Sequence, residues 1–172
     1  STKRDRITEL AAVLGFSALG NNDKVGAILF SDKIEKFIPP KKGKSHVLRI
    51  IRELLDVESE GEGTDVTGAL DHFLSAMKKR TVAFLLSDFR DDGFEQLLKR
   101  AGRKHDFVAL RLDDPIDKEI PSVGFLPIKD PETGKEDWIW SSSKKARTKY
   151  KATELKRCDA LDKMFSRSGI DH

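Results

Sequence analysis

Apolar positions recur along this chain in two rhythms, one of helical period and one nearly continuous over short runs. Ile7, Leu10, Ala11, Leu14 and Ala18 fall at helical spacing, and Gly20 follows as a stop signal. After a turn at Asn21, Asn22 and Asp23, residues 25–30 read Val-Gly-Ala-Ile-Leu-Phe, the unbroken pattern of a strand buried on both faces. Residues 34–38 predict a short edge strand ended by Pro39 and Pro40. Ser45 is placed to cap a helix that carries Val47, Leu48, Ile51, Leu54 and Leu55. An acidic, glycine-containing loop over 56–63 leads into a further helix with Val66, Leu70, Phe73, Leu74 and Met77 inward. Residues 81–86 form the most strand-like run, with Ser87, Asp88 and Phe89 at its C-terminal end. Phe94, Leu97, Leu98 and Ala101 mark the next helix, and residues 107–112 the next buried strand.

This alternation predicts an α/β fold with a mostly parallel sheet and helices on both faces. The order then changes. Two strand-like runs, 123–128 and 137–140, flank Asp130-Pro131-Glu132-Thr133-Gly134, a turn signal that predicts an inserted β-hairpin. A charged helix over 144–167 closes the sequence. No repeat, low-complexity tract or linker interrupts it, so a single domain over 1–172 is expected. The chain opens and closes on a helix, whereas parallel sheets ordinarily begin with a strand that feeds the first helix.

Composition narrows the function classes. Hydrophobic residues make up 38% and charged residues 35% of the 172, a globular profile that can bury about 70% of the unfolded surface. Lys plus Arg number 32 and Asp plus Glu 29, for a net charge of +3; a nucleic-acid partner is not expected from so even a balance. The single cysteine, Cys158, excludes an internal disulfide, and its helical neighbours Leu155 and Leu161 predict a half-buried thiol. No apolar run approaches the ~18 residues of a membrane span, and residues 1–6 do not open a signal peptide. The expected setting is cytoplasmic, with no membrane segment in the chain.

Candidate chemistry lies beyond the C-terminal ends of the strands, where open α/β sheets bind ligands. Asp88 follows the strand at 81–86, and Thr64 and Asp65 open the helix after the acidic loop. Their oxygens suit a hard cation such as Mg2+; equally, Thr64 or Asp65 caps its helix and Asp88 caps a turn. Lys41, Lys42 and Lys44 form a basic loop without a glycine-rich phosphate cradle. His46, His72, His105 and His172 lack metal-ligand spacing, and no serine has the context of an acyl-transfer triad. Trp138 and Trp140 share one face of their strand, where packing against the final helix is the expected role.

Several runs together carry a resemblance: Asn22-Asp23-Lys24-Val25-Gly26 with Leu29-Phe30-Ser31-Asp32, then residues 37–44, Leu85-Leu86-Ser87-Asp88-Phe89, and residues 130–134. In this order and spacing the chain resembles the bacterial domain of unknown function 58 proteins. These are von Willebrand factor A-like (Rossmann-like) proteins often encoded beside a MoxR-type AAA+ ATPase. The resemblance implies a metal-ion-dependent adhesion site built from three loops. Thr64 matches its threonine and Asp88 its strand-end aspartate, with Asp65 a possible addition. The Asp-x-Ser-x-Ser motif and the first strand are absent, so the domain is expected to be partial. Mg2+ is expected in a full-length protein but not in this fragment.

The function implied is non-enzymatic: an interaction module whose partner is a MoxR-type ATPase or its client. The alternative is an enzyme or phospho-acceptor domain using Asp88. Asp91 and Asp92 are the only nearby carboxylates for such chemistry, and they lie beyond a turn.

Overall fold

The computed structural model describes residues 2–58, 63–113, 120–129 and 135–172. It is a mixed α/β protein with a small parallel sheet, and it separates into two compact units, Ser1–Lys78 and Lys79–His172.

The first unit runs α1 (Lys3–Gly20), β1 (Val25–Phe30), β2 (Ile34–Lys41), α2 (Lys44–Asp56) and α3 (Val66–Ala76). Thr2 and Asp5 close a reciprocal capping box at the start of α1, which satisfies two otherwise orphaned amide donors. β1 and β2 pair antiparallel, contrary to the parallel order expected. Only Ser31, Asp32 and Lys33 join them, and a parallel crossover needs about a dozen residues or more. β2 continues through Pro39 and Pro40 to Lys41 rather than ending before them. The register shifts between Val25 and Ala27, and an edge strand tolerates proline where no ladder bond is required. Gly26 is what lets the prolines approach: a Cβ there would lie 2.8 Å from the Ile38 carbonyl and 2.9 Å from the Pro40 nitrogen. Leu29, Ile38 and Ile50 form a buried cluster with Val25, Ala27, Leu54 and Val57 packed around it. His46 is buried on α2, with Nε2 2.8 Å from the Val25 carbonyl. Ser45 does not cap α2; Gly43 occupies the cap position and Ser45 lies inside the helix.

The second unit runs β3 (Val82–Ser87), α4 (Glu95–Lys104), β4 (Asp106–Arg111), β5 (Phe125–Lys129), β6 (Glu136–Trp140) and α5 (Lys144–Arg167). β3 and β4 pair parallel over their whole length, Val82 opposite Asp106 through Ser87 opposite Arg111, because α4 supplies the crossover. The chain end adds to β4 through Asp171, whose carbonyl accepts from the Ala109 amide at 2.8 Å. Leu85, Phe89, Phe94, Leu98, Phe107 and Phe165 are buried. β3 is covered unevenly: Leu85 and Ser87 are buried, while Val82 and Phe84 are 62% and 40% exposed. Among the described residues it has a strand neighbour on one side only.

β5 and β6 form the predicted hairpin, Phe125 opposite Trp140 and Pro127 opposite Trp138; its expected turn, residues 130–134, lies outside the described residues. Trp138 and Trp140 do not pack against the final helix. They are 65% and 51% exposed, because alternation turns the half-buried Leu126, Ile128 and Ile139 to the opposite face.

Two predictions follow from this packing. Gly102 on α4 faces the chain end, where an added Cβ would lie 2.7 Å from Ile170 Cδ1 and 2.9 Å from the Ser168 carbonyl. A backbone oxygen cannot step aside. Gly102→Ala is therefore expected to lower stability in urea, with overpacking of about 1–3 kcal/mol outweighing the ~1 kcal/mol helical advantage of alanine. The second concerns His105, buried at the end of α4, whose Nδ1 accepts from the Thr81 amide at 3.1 Å. Burial lowers its pKa, with the neighbouring charges of Lys104 and Arg80 acting the same way. The unfolded chain therefore binds this proton more readily than the folded one. Its stabilisation is complete above the ordinary value of about 6.5 and is lost as pH falls through that value towards the depressed folded one. Urea midpoints measured across this range should fall on acidification, and fall less steeply in His105→Gln.

Candidate functional site

The first strand of each unit leads into the same dipeptide. β1 runs into Ser31-Asp32 and β3 into Ser87-Asp88, each serine buried. In the first unit this strand end holds the loop that carries Thr64. The Asp65 amide donates to the Ser31 carbonyl at 2.7 Å, and a Cβ on Gly63 would sit 3.5 Å from the Asp32 Cβ. The Ser31 hydroxyl contacts the carboxylates of Glu35 and Asp32. Thr64 is exposed. Asp65 is the N-cap of α3, and its Oδ1 accepts from the Gly68 amide at 2.8 Å. The capping role weighed for Asp65 is thus realised, and one of its carboxylate oxygens is committed to the helix.

In the second unit Asp88 is half-buried and begins a tight turn. Its Oδ1 accepts from the Arg90 amide at 3.3 Å, and the Phe89 amide donates to the Ser87 hydroxyl at 3.1 Å. Phe89 takes a positive φ of 51°, a conformation that costs a bulky side chain free energy unless its surroundings impose it. Here the ring is buried against Phe94 and Phe165, with centroids 5.8 and 5.0 Å away. Glu154 on α5, itself buried, takes Arg157 at 2.6 Å and Arg90 at 3.4 Å. Arg157 also donates to the carbonyls of Asp88 and Phe89 at 3.3 and 3.4 Å. Buried charges survive only when paired and hydrogen-bonded in this way.

Thr64 and Asp65 thus belong to the first unit and Asp88 to the second; each is held by its own local network. Ser31 and Asp32 entered the sequence analysis only within a family-like run, and Glu154 and Arg157 not at all. The repeated Ser-Asp after two apolar strands was a signal for the first pair. The arginine and glutamate of α5 gave none: their own pairing spans one helical turn, but Arg90 and the carbonyls of Asp88 and Phe89 lie more than sixty positions away. Cys158 is half-buried as predicted, and burial raises its thiol pKa, which disfavours a thiolate nucleophile. The lysines at 41, 42 and 44 are exposed.

Residues 1–159 match the family model described as "Protein of unknown function DUF58". The chain belongs to the DUF58 family. Within the curated proteins it is similar to an uncharacterized protein of Mycobacterium tuberculosis strain H37Rv and to one of Mycobacterium bovis. Each is 26% identical over 135 residues, covering 77% of this chain and 43% of the relative. An uncharacterized protein of Mycobacterium avium is 25% identical over 100 residues, 56% of this chain and 59% of the relative. The DUF58 chain therefore spans less than half the length of the first two. Among solved structures, the hypothetical protein BatB from Bacteroides thetaiotaomicron aligns with 96% of this chain and 87% of its own, at TM-score 0.52 and 15% identity. That is a likeness of fold.

The cap at Asp65 gives a direct test. Asp65→Ala should destabilise the chain by about 1 kcal/mol, and Asp65→Asn, which keeps a capping oxygen, by much less. Equal losses in urea denaturation would mean that the carboxylate charge, rather than the Gly68 hydrogen bond, is what matters.

Proposed function

We propose that this DUF58 chain is a partial von Willebrand factor A-like domain acting as a non-enzymatic protein-interaction module. Its partner class is a MoxR-type AAA+ ATPase or that ATPase's client. The reading is supported above all by Asp88, which sits directly at the C-terminal end of a parallel strand in a turn that fixes its backbone. Family membership supports the same reading.

The proposed metal ligands are Thr64 and Asp88, with Asp65 as a possible addition. The fit to Mg2+ is incomplete. This cation takes six oxygen ligands in near-octahedral geometry and retains several waters. Thr64 offers one hydroxyl, Asp88 has one oxygen engaged by the Arg90 amide, and Asp65 has one engaged by Gly68. Among the described residues no group of three or more His, Cys, Asp or Glu is placed to hold a metal ion. A bound cation would supply an open coordination position for a partner's carboxylate. Each loop by itself supplies only part of its shell.

Calorimetric titration with Mg2+ and Mn2+ tests the reading on this chain and on a longer one that includes the Asp-x-Ser-x-Ser segment. The longer chain is expected to bind, this one weakly or not at all, and Asp88→Ala should abolish binding in the longer chain. If the longer chain and its Asp88→Ala variant behave alike, the metal reading fails. A stable adduct on Asp88 after incubation with acetyl phosphate would replace the interaction module with a phospho-acceptor domain.

A further inference from the structure

The β5–β6 hairpin presents an aromatic face that nothing among the described residues covers. Cross-strand pairing puts Phe125 beside Trp140 and Pro127 beside Trp138 on that face. Phe125 is 66% exposed, alongside the two exposed tryptophans. Its ring meets Trp140 edge-on, at 4.8 Å between centroids and 67° between planes. Contiguous exposed apolar surface of this kind marks an interaction site. The base of the ribbon is fixed. Ser141 is fully buried and its hydroxyl donates to the Gly124 carbonyl at 2.6 Å, while the Val123 amide donates back to that hydroxyl at 3.0 Å. Arg147 of α5 donates to the Ser141 carbonyl at 2.5 Å, so the helix start and the hairpin base are held together.

That helix start is basic. From Lys135 to Lys156 the sequence carries seven basic residues against three acidic ones, while the whole chain has a net charge of only +3. Lys144, Lys145, Lys149 and Lys151 are exposed, and none forms an ion pair with a described acidic residue. Lys144, Thr148, Lys151 and Leu155 share one helix face by spacing, and Leu155 is also exposed. Lys144 is four residue steps from Trp140, so their Cα atoms lie no more than roughly 14 Å apart. That is close to the ~8–10 Å over which a surface charge is felt at moderate salt.

We propose that the face of Phe125, Pro127, Trp138 and Trp140, with the lysines that open α5, docks on an anionic phospholipid surface. Tryptophan settles at the boundary between headgroups and acyl chains, and phenylalanine on the same apolar face buries beside it. Lysines beside them add attraction to anionic headgroups. Charge complementarity therefore selects a negatively charged occupant, and the aromatic geometry favours a lipid surface over single-stranded nucleic acid. Bases stack on open, parallel ring faces interleaved with cations along a groove. Here Phe125 and Trp140 pack edge to face, and the lysines follow the aromatic ribbon instead of alternating with its rings. Docking of this kind needs no spanning segment, and among the described residues no helix is long and apolar enough to cross a membrane.

The chain has two tryptophans, both on this face, so its tryptophan emission reports on this face alone. Vesicles of phosphatidylcholine containing phosphatidylglycerol should shift that emission to the blue and co-sediment the protein; pure phosphatidylcholine vesicles should do neither at moderate salt. Trp138→Ser with Trp140→Ser, and separately Lys144→Glu with Lys145→Glu, should each weaken co-sedimentation at least about tenfold. These side chains are exposed, and circular dichroism checks that each variant folds. No blue shift with anionic vesicles overturns the proposal. So does equal binding to neutral vesicles, or a shift produced by a single-stranded oligonucleotide or an acidic peptide but not by vesicles.

Discussion

The turn after β3 is the constraint around which the second unit is arranged. A phenylalanine with a left-handed backbone persists only if its surroundings select that conformation, and Phe89 has such surroundings: Phe94 ahead of α4 and Phe165 near the end of α5 enclose its ring. The ring ties the strand end to the last helix, and Arg157 repeats the tie through the carbonyls of Asp88 and Phe89. Glu154 neutralises that arginine and Arg90 together. The backbone at Asp88 is consequently held in place by turn geometry and packing.

The first unit uses a lighter version of the same device. Ser31, buried at the end of β1, accepts from the amide of Asp65, so the loop bearing Thr64 is fastened to a strand end by backbone hydrogen bonding. The Asp65 side chain is occupied in starting α3. Two strand ends of similar sequence thus carry the two candidate loops, one stiffened by a buried ionic and aromatic cluster and the other by a cap and a single amide contact. The hairpin differs from both. It is pinned at its base by Ser141 and leaves its aromatic face to solvent, an arrangement better matched to binding a surface than to completing a core.

Much of this was legible in the sequence, for physical reasons that differ by element. The helices at 3–20, 44–56, 66–76 and 95–104 followed from apolar periodicity, and that at 144–167 from its charged run, since side-chain spacing is a local property. The hairpin strands and the half-buried Cys158 were local too. Strand direction was legible only in part: β3 and β4 are parallel because a helix joins them, whereas the three-residue link between β1 and β2 permits only an antiparallel pair. The positions of Thr64 and Asp88 at loop and strand ends were readable from pattern and family likeness.

The sequence by itself determined where the chain is helical or extended, its family, and which side chains stand at the ends of its strands. Only the tertiary structure decided which of those side chains are already engaged and which apolar residues remain uncovered. Spacing says that Trp138 and Trp140 share a face, but whether that face is buried depends on what packs against it. Likewise, Glu154 and Arg157 read as ordinary charges of a polar helix until α5 lies along the turn at Phe89. Burial and long-range pairing depend on the whole arrangement, because both are set by neighbours distant in the chain.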